Sequence, residues 1–287
     1  MEAFDYSRAY SRNIGWVTEA EQHTLKRSRI AIAGLGGVGG AHLLTLTRLG
    51  IGAFHISDFD RFEQQNFNRQ AGAMLSHLHQ DKCAVLARMA ADINPELQLK
   101  TFPQGIDDAN LDAFLDGADV YVDSLDFFAV DIRRKVFAAC ARRGIPALTA
   151  APLGMGTAFL AFLPGGMTFE QYFRMEGLAK PEQLARFIAG LSPRMFQRPY
   201  LQVPEAVNFS KEKGPSTVMA CDLCAGVMGV EVLKLLLKRG PVTAAPWGLH
   251  FDAYRQRYKK TWRPFGNANP LQKILIALIR SKLNLNG

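Results

Sequence analysis

The chain has 287 residues, 48% of them apolar and 21% charged, and a formal net charge of +8. That length suits one large α/β domain, or one domain with an appendage, and buries a sizeable core. Three features are not expected: a membrane-spanning helix, because no apolar run approaches roughly 18 residues; a secretory signal, because MEAFDYSRAYSRN lacks its apolar core; and a disulfide scaffold, because there are only four cysteines, so a cytoplasmic location is the expectation.

In chain order, Thr18 and Glu21 of TEAE form the two halves of a capping box and predict an N-terminal helix. Residues 28–33 read as a buried strand, 34–40 as a glycine turn, 41–49 as a helix and 52–57 as a second strand. A helix over 82–94 ends before Pro95, and 97–102 is a third strand. Then come a helix over 109–115, a strand over 120–123, a helix over 132–143 and a fifth strand over 146–150. This alternation predicts an α/β fold: a Rossmann-like nucleotide-binding domain with a central, mostly parallel sheet.

Beyond Pro164 the regularity stops. Residues 165–216 hold Pro181, Pro193, Pro199, Pro204 and Pro215 and two short predicted helices, 169–176 and 182–190. They read as a crossing segment or lid. A helix over 224–238 and a strand pair over 248–258 complete the core. The final stretch, NPLQKILIALIRSKLNLNG, is predicted to be an amphipathic helix with Leu271, Ile274, Leu275, Leu278 and Ile279 on one face. The expected organisation is therefore 1–164, 165–216, 217–264 and 265–287.

The chemistry is concentrated early. Gly34, Gly36, Gly37 and Gly39 follow a strand and open a helix, the context in which backbone N–H groups and a helix N-terminus approach phosphates. Asp58 closes the next strand, where a carboxylate accepts ribose hydroxyls. The following string, DFDRFEQQNFNRQ, adds Asp60, Asn66 and Arg69, the last two sharing a face if the segment is helical. Lys82 opens the next helix, and Asp126 lies just past the fourth strand. Two cations, an amide and carboxylates around a nucleotide suit ATP with Mg²⁺: Arg69 and Lys82 on the triphosphate, Asp126 on the metal. A hydride-transfer site has no use for that much positive charge, and no P-loop string is present. Read alone, each cation is also an ordinary surface charge, and Asp126 an ordinary helix cap.

The string GLGGVGG…DFD…NFNRQ…K…D, closed by AAPLGMG, resembles the ThiF/MoeB/ubiquitin-activating enzyme superfamily over about residues 10–164, and again at GVMGVEVLKLLL. The resemblance implies adenylation of a carboxylate, often the C-terminus of a ubiquitin-like sulfur-carrier protein, with release of pyrophosphate. It implies Asp58 on the ribose, Asn66, Arg69 and Lys82 on the phosphates, and Asp126 on magnesium. It also implies a homodimer in which the arginine of YSRN, here Arg12, reaches the partner's ATP site. DINPELQL and the basic end are similar to the tRNA threonylcarbamoyladenosine dehydratase branch, whose carboxylate is carried on RNA. A catalytically silent partner or scaffold of the same fold is the third reading.

Two departures stand out. Relatives often carry two CxxC pairs for zinc, whereas only Cys221 and Cys224 form one here, so zinc is not expected. That pair is open to three readings: a thiol for redox or sulfur relay, a zinc site completed by other ligands, or an inert packed pair. Residues 165–216 contain no cysteine for thioester transfer. Cys83 and Cys140 read as core residues, and His77 and His79 as surface-loop residues. Finally, nine Lys/Arg against the single acid Asp252 place the whole +8 within residues 239–287. Such an end meets RNA, an acidic protein or an anionic membrane surface, or is simply solvated.

Overall fold

The computed structural model describes residues 3–207, 212 and 214–282, and the chain divides into two compact units. The first comprises Met1–Leu125 and Ala225–Val242, the second Asp126–Cys224 and Thr243–Gly287.

The first unit opens with α1 (Tyr6–Ala9) and α2 (Glu19–Arg27). The predicted capping box is present: Thr18 Oγ1 accepts from Glu21 N at 3.2 Å, and Glu21 Oε2 accepts from Thr18 N at 2.8 Å. β1 (Arg29–Ala33), α3 (Gly37–Leu49), β2 (Ala53–Ser57), α4 (Lys82–Ile93), β3 (Gln98–Phe102), α5 (Leu111–Leu115) and β4 (Val120–Asp123) follow. Their strands run parallel in the order β3-β2-β1-β4. Ile30, Ile32, Phe54, Ile56, Tyr121 and Val122 are buried within this sheet, which is why the strands read as apolar runs rather than alternating ones. Strand order reverses between β1 and β4, so a ligand crevice is expected at their C-terminal ends. The N-terminal segment is tied to the far end of α3, where Tyr10 Oη donates to Thr47 O and Asn13 Nδ2 to Leu49 O.

The second unit contains α6 (Val130–Arg143), β5 (Ala147–Leu153), β6 (Gly156–Phe162), α7 (Phe169–Phe173) and α8 (Lys180–Leu191). α9 (Val218–Leu236) runs through the division between the units, and β7 (Trp247–Asp252), β8 (Arg257–Trp262) and α10 (Pro270–Lys282) complete the second. Here β5 to β8 form an antiparallel meander. β6 was not anticipated: GTAFLAF is buried along its entire length, so it shows no alternation to distinguish it from a loop or a buried helix. α9 begins six residues before the predicted start, and the Cys221–Cys224 pair lies within it. The final helix divides its expected stripe. Ile279 and Leu275 turn inward with Ile276 against Ala185, Ile188 and Ala189 of α8, whereas Leu271, Ile274 and Leu278 stay exposed.

A buried histidine gives this unit a pH dependence. His250 of β7 packs against Phe196 with ring centroids 4.8 Å apart, and neither ring nitrogen has a hydrogen-bond partner among the described residues. Desolvation lowers its pKa to about 4, against the opposing pull of Asp252. The unfolded chain protonates near pH 6.5 and the native state only near 4, so stability is lost as pH falls through that window. From pH 7 to pH 5 the loss is about 2 kcal/mol. Urea unfolding of the parent and of His250→Phe at both values should show a smaller pH step in the variant.

Candidate functional site

β1 ends at Ala33 and the chain turns at Gly34, whose φ is +85° and whose N–H donates to Ser57 O at 2.8 Å. Ser124, at the end of β4, donates its N–H to Ala33 O at 2.9 Å. The glycine turn therefore occupies the point where strand order reverses. A Cβ on Gly34 would lie 2.2 Å from Ser124 O, and one on Gly39 would lie 1.9 Å from Gly34 O. Neither position admits a side chain. The N-cap of α3 is Gly36, which offers no side-chain cap to the first N–H groups of this 13-residue helix, and uncapped N–H groups at a helix N-terminus suit an anion. The helix starts at Gly37, so the second half of the predicted turn is already helical.

The carboxylates and Lys82 are strapped to this turn. Asp58 Oδ2 accepts from Leu35 N at 2.6 Å, and Asp58 Oδ1 from Asp60 N at 2.8 Å. Each oxygen keeps a further lone pair for a ligand hydroxyl. Burial pushes the Asp58 pKa up, and the Lys82 charge opposes that shift. Lys82, the first residue of α4, is buried, with Nζ 2.9 Å from Asp60 Oδ2. Backbone ties hold the arrangement: Lys82 N donates to Asp60 O, and Cys83 Sγ to Asp58 O. Burying an ammonium is costly without a compensating function or partner, and here its partner, Asp60, is itself more than half exposed.

The NFNRQ turn lies against the glycines but is not a helix. Only Gln64–Asn66 form a single 3₁₀ turn, so Asn66 and Arg69 do not share a helical face. Asn66 is buried and its Oδ1 accepts from Glu63 N, while Arg69 Nη1 donates to Gln65 O and Asn68 Oδ1. Sequence reasoning passed over the last residue of the string. Gln70 is buried, its Nε2 lies 3.9 Å from where a Gly36 Cβ would sit, and its Oε1 has no partner among the described residues. Its amide nitrogen, a donor, faces the glycine turn and is a candidate ligand group for a phosphate, whereas the unpaired Oε1 is an acceptor. Its position at the end of the NFNRQ motif was the available signal, but glutamine is too common a surface residue to single out by type.

Asp126 belongs to the second unit, three residues after β4 in the chain. It is exposed, and its Oδ1 accepts from Phe128 N at 2.9 Å, so it does not cap α6, whose N-cap is Ala129. Arg133 of α6, buried beneath Phe187, donates to Asp126 O at 3.0 Å and holds that turn in shape. Arg12 is exposed on the 3₁₀ turn Ser11–Asn13 of the first unit. No group of three or more His, Cys, Asp or Glu among the described residues is arranged to hold a metal by itself. Magnesium needs none, since one carboxylate plus substrate phosphates suffices. Cys221 and Cys224 are both fully buried, and Cys224 Sγ donates to Thr157 Oγ1. Burial pushes the Cys224 pKa up, which opposes the reading of that cysteine as a reactive thiolate.

The sequence model of the ThiF family matches residues 10–273. The tRNA threonylcarbamoyladenosine dehydratase of Bacillus subtilis (strain 168) is 32% identical over 141 residues, 49% of this chain and 55% of that protein. The sulfur carrier protein ThiS adenylyltransferase of Escherichia coli (strain K12) is 29% identical over 143 residues, 50% of this chain and 56% of that protein. The chain thus spans about half the length of these relatives. Among solved structures, E. coli MccB with AMPCPP and MccA gives a TM-score of 0.69 at 19% identity, over 91% of this chain and 73% of that one. At that identity the likeness is one of fold.

Proposed function

Because the chain belongs to the ThiF family, we propose that it is an ATP- and magnesium-dependent adenylyltransferase acting on a carboxylate. The observation that carries this reading is the buried Lys82 ammonium, held by Asp60 and tied through Asp58 to the glycine turn. That is a preorganised cation beside an open helix N-terminus. In the reaction a carboxylate oxygen of the acceptor bonds to the α-phosphorus of ATP as the bond to the β-phosphate oxygen breaks. Pyrophosphate leaves, and an acyl-adenylate remains. The attacking carboxylate is already ionised, so neither a general base nor a protein nucleophile is required. Lys82 and Arg69 neutralise charge moving onto pyrophosphate, Asn66 and Gln70 orient the phosphates, and Asp58 accepts the ribose hydroxyls. Asp126 would hold the magnesium, which adds charge neutralisation at the triphosphate. In a homodimer, Arg12 supplies a further cation to the partner's site.

The acceptor is the C-terminus of a small ubiquitin-like or sulfur-carrier protein or peptide, in line with the ThiS adenylyltransferase relative. A tRNA-borne carboxylate is the second reading, favoured by the dehydratase relative and by the nine cations of residues 239–287. One assay separates them: exchange of labelled pyrophosphate into ATP, run with Gly-Gly-ended carriers or peptides and with threonylcarbamoyl-modified tRNA. Acceptor-dependent exchange is expected. ATP binding with no exchange under any acceptor would overturn the enzymatic reading in favour of a silent scaffold.

A further inference from the structure

α10 is apolar on two faces, and its fold partner covers only one. Ile276 and Ile279 pack on α8, and Arg280 Nε pairs with Glu182 of α8 at 3.1 Å. These contacts set the rotation of the helix. Leu271, Ile274 and Leu278, at i, i+3 and i+7, are left 76%, 59% and 54% exposed. Just upstream, Phe265 is 67% exposed although its backbone has φ +66°. A bulky residue adopts that left-handed conformation only at a cost. Trp262, at the end of β8, is also exposed. From residue 253 to the last residue there are eight Lys/Arg and no acid; Arg263 is buried and Arg280 is paired with Glu182, whereas Lys259, Lys260 and Lys273 are exposed.

We infer that α10 and the residues leading into it form a docking element for an anionic lipid surface. Leu271, Ile274 and Leu278 enter the headgroup–acyl boundary, with Phe265 and Trp262 as interfacial anchors. The exposed Lys259, Lys260 and Lys273 meet lipid phosphates. With 13 residues the helix lies in the interface and does not cross it. The charge selects this occupant. A second copy of the chain would bring one uniformly positive segment against another. A nucleic acid would use the cations and aromatic rings but gain nothing from an aliphatic ridge of Leu and Ile. Docking through one short helix and a basic segment is reversible, because stable anchoring requires more than one strong signal. This inference uses no residue of the ATP site, but it assigns to lipid the basic segment on which the tRNA reading draws.

The test is co-sedimentation of the full chain with phosphatidylcholine vesicles, with and without phosphatidylglycerol, at low and high salt. Binding to the anionic vesicles alone, weakened by salt, is expected. L271S/I274S/L278S should bind about tenfold more weakly or worse with its unfolding midpoint unchanged, since it alters only exposed side chains. K259E/K273E should weaken binding in the same direction. The inference is overturned if the chain stays in the supernatant with anionic vesicles. It is also overturned if the triple-serine variant binds like its parent, as it would if charge alone drew it to any polyanion including RNA. A dimer in sedimentation equilibrium that the triple-serine variant abolishes would assign the face to a second copy instead.

Discussion

Lys82→Met should lower pyrophosphate exchange by about a hundredfold to a thousandfold while leaving the unfolding midpoint unchanged or slightly raised. The two readouts move differently for one physical reason. Lys82 is buried and its salt-bridge partner, Asp60, is largely solvated. A pair of that kind gains little, because the exposed carboxylate is already stabilised by water and the ammonium has lost its hydration. The Lys82 charge also acts on the partly buried Asp58 carboxylate, whose pKa burial already raises and which can take up a proton when that charge is gone. Methionine fills similar volume without a charge to desolvate, and Asp60 returns to solvent. A lysine kept only for structure would show the reverse pattern, with exchange intact and the midpoint reduced. Lys82→Arg retains the charge but cannot reproduce a compact ammonium in the same enclosure, so it should recover only part of the exchange. Full activity in Lys82→Met would remove this residue from the phosphate site, and with it the observation on which the adenylation reading rests.

The parts of this molecule that could be read from the sequence are those where local chemistry and fold agree. β1, the glycine turn and α3 follow from an apolar run meeting glycines. The N-terminus of α2 follows from a capping box that the structure reproduces atom for atom. α4 begins at Lys82 as expected because Asp81 and Lys82 follow a loop and an apolar period begins there. What was not legible depends on tertiary surroundings. β6 is enclosed on both faces, so its sequence carries no period. α9 begins at Val218, and its first turns hide their period: Val218 and Met219 are apolar but exposed, while Ala220, Cys221 and Cys224 are buried. α10 was assigned one apolar face, but its packing on α8 selects Ile276, which lay outside that stripe, and leaves part of the stripe in solvent. At the candidate site, residue types located Asp58, Asp60 and Lys82 in one neighbourhood, and their hydrogen bonds now join them. Gln70 emerged only from its burial and its unsatisfied amide.

Three glycines of the turn should separate folding from ligand approach. Gly39→Ala places a methyl group 1.9 Å from Gly34 O and 3.0 Å from Ser124 Cβ. Relief would require the Gly34 carbonyl to move, yet the Gly34 N–H is fixed to Ser57 O and the adjoining Ala33 O to Ser124 N. Backbone held on both sides cannot relax as a flexible side chain can, so a loss of about 3 kcal/mol or more, or failure to fold, is expected. Gly34→Ala meets Ser124 O at 2.2 Å and must also hold φ +85°, which alone costs about 1–2 kcal/mol for a residue with a Cβ; its loss should be comparable. Gly36→Ala differs in kind. Its φ is −70° and its ψ −143°, and the nearest neighbouring atom is Gln70 Nε2 at 3.9 Å, so a methyl group meets no backbone there. Urea unfolding should therefore find it less destabilised than Gly34→Ala and Gly39→Ala, while its ATP affinity falls because a methyl group now stands where a phosphate approaches the helix N-terminus. If Gly36→Ala binds ATP like the parent, the phosphate does not pass over this turn. If Gly39→Ala is as stable as the parent, the close approach of Gly39 to the Gly34 carbonyl is not a constraint on the fold.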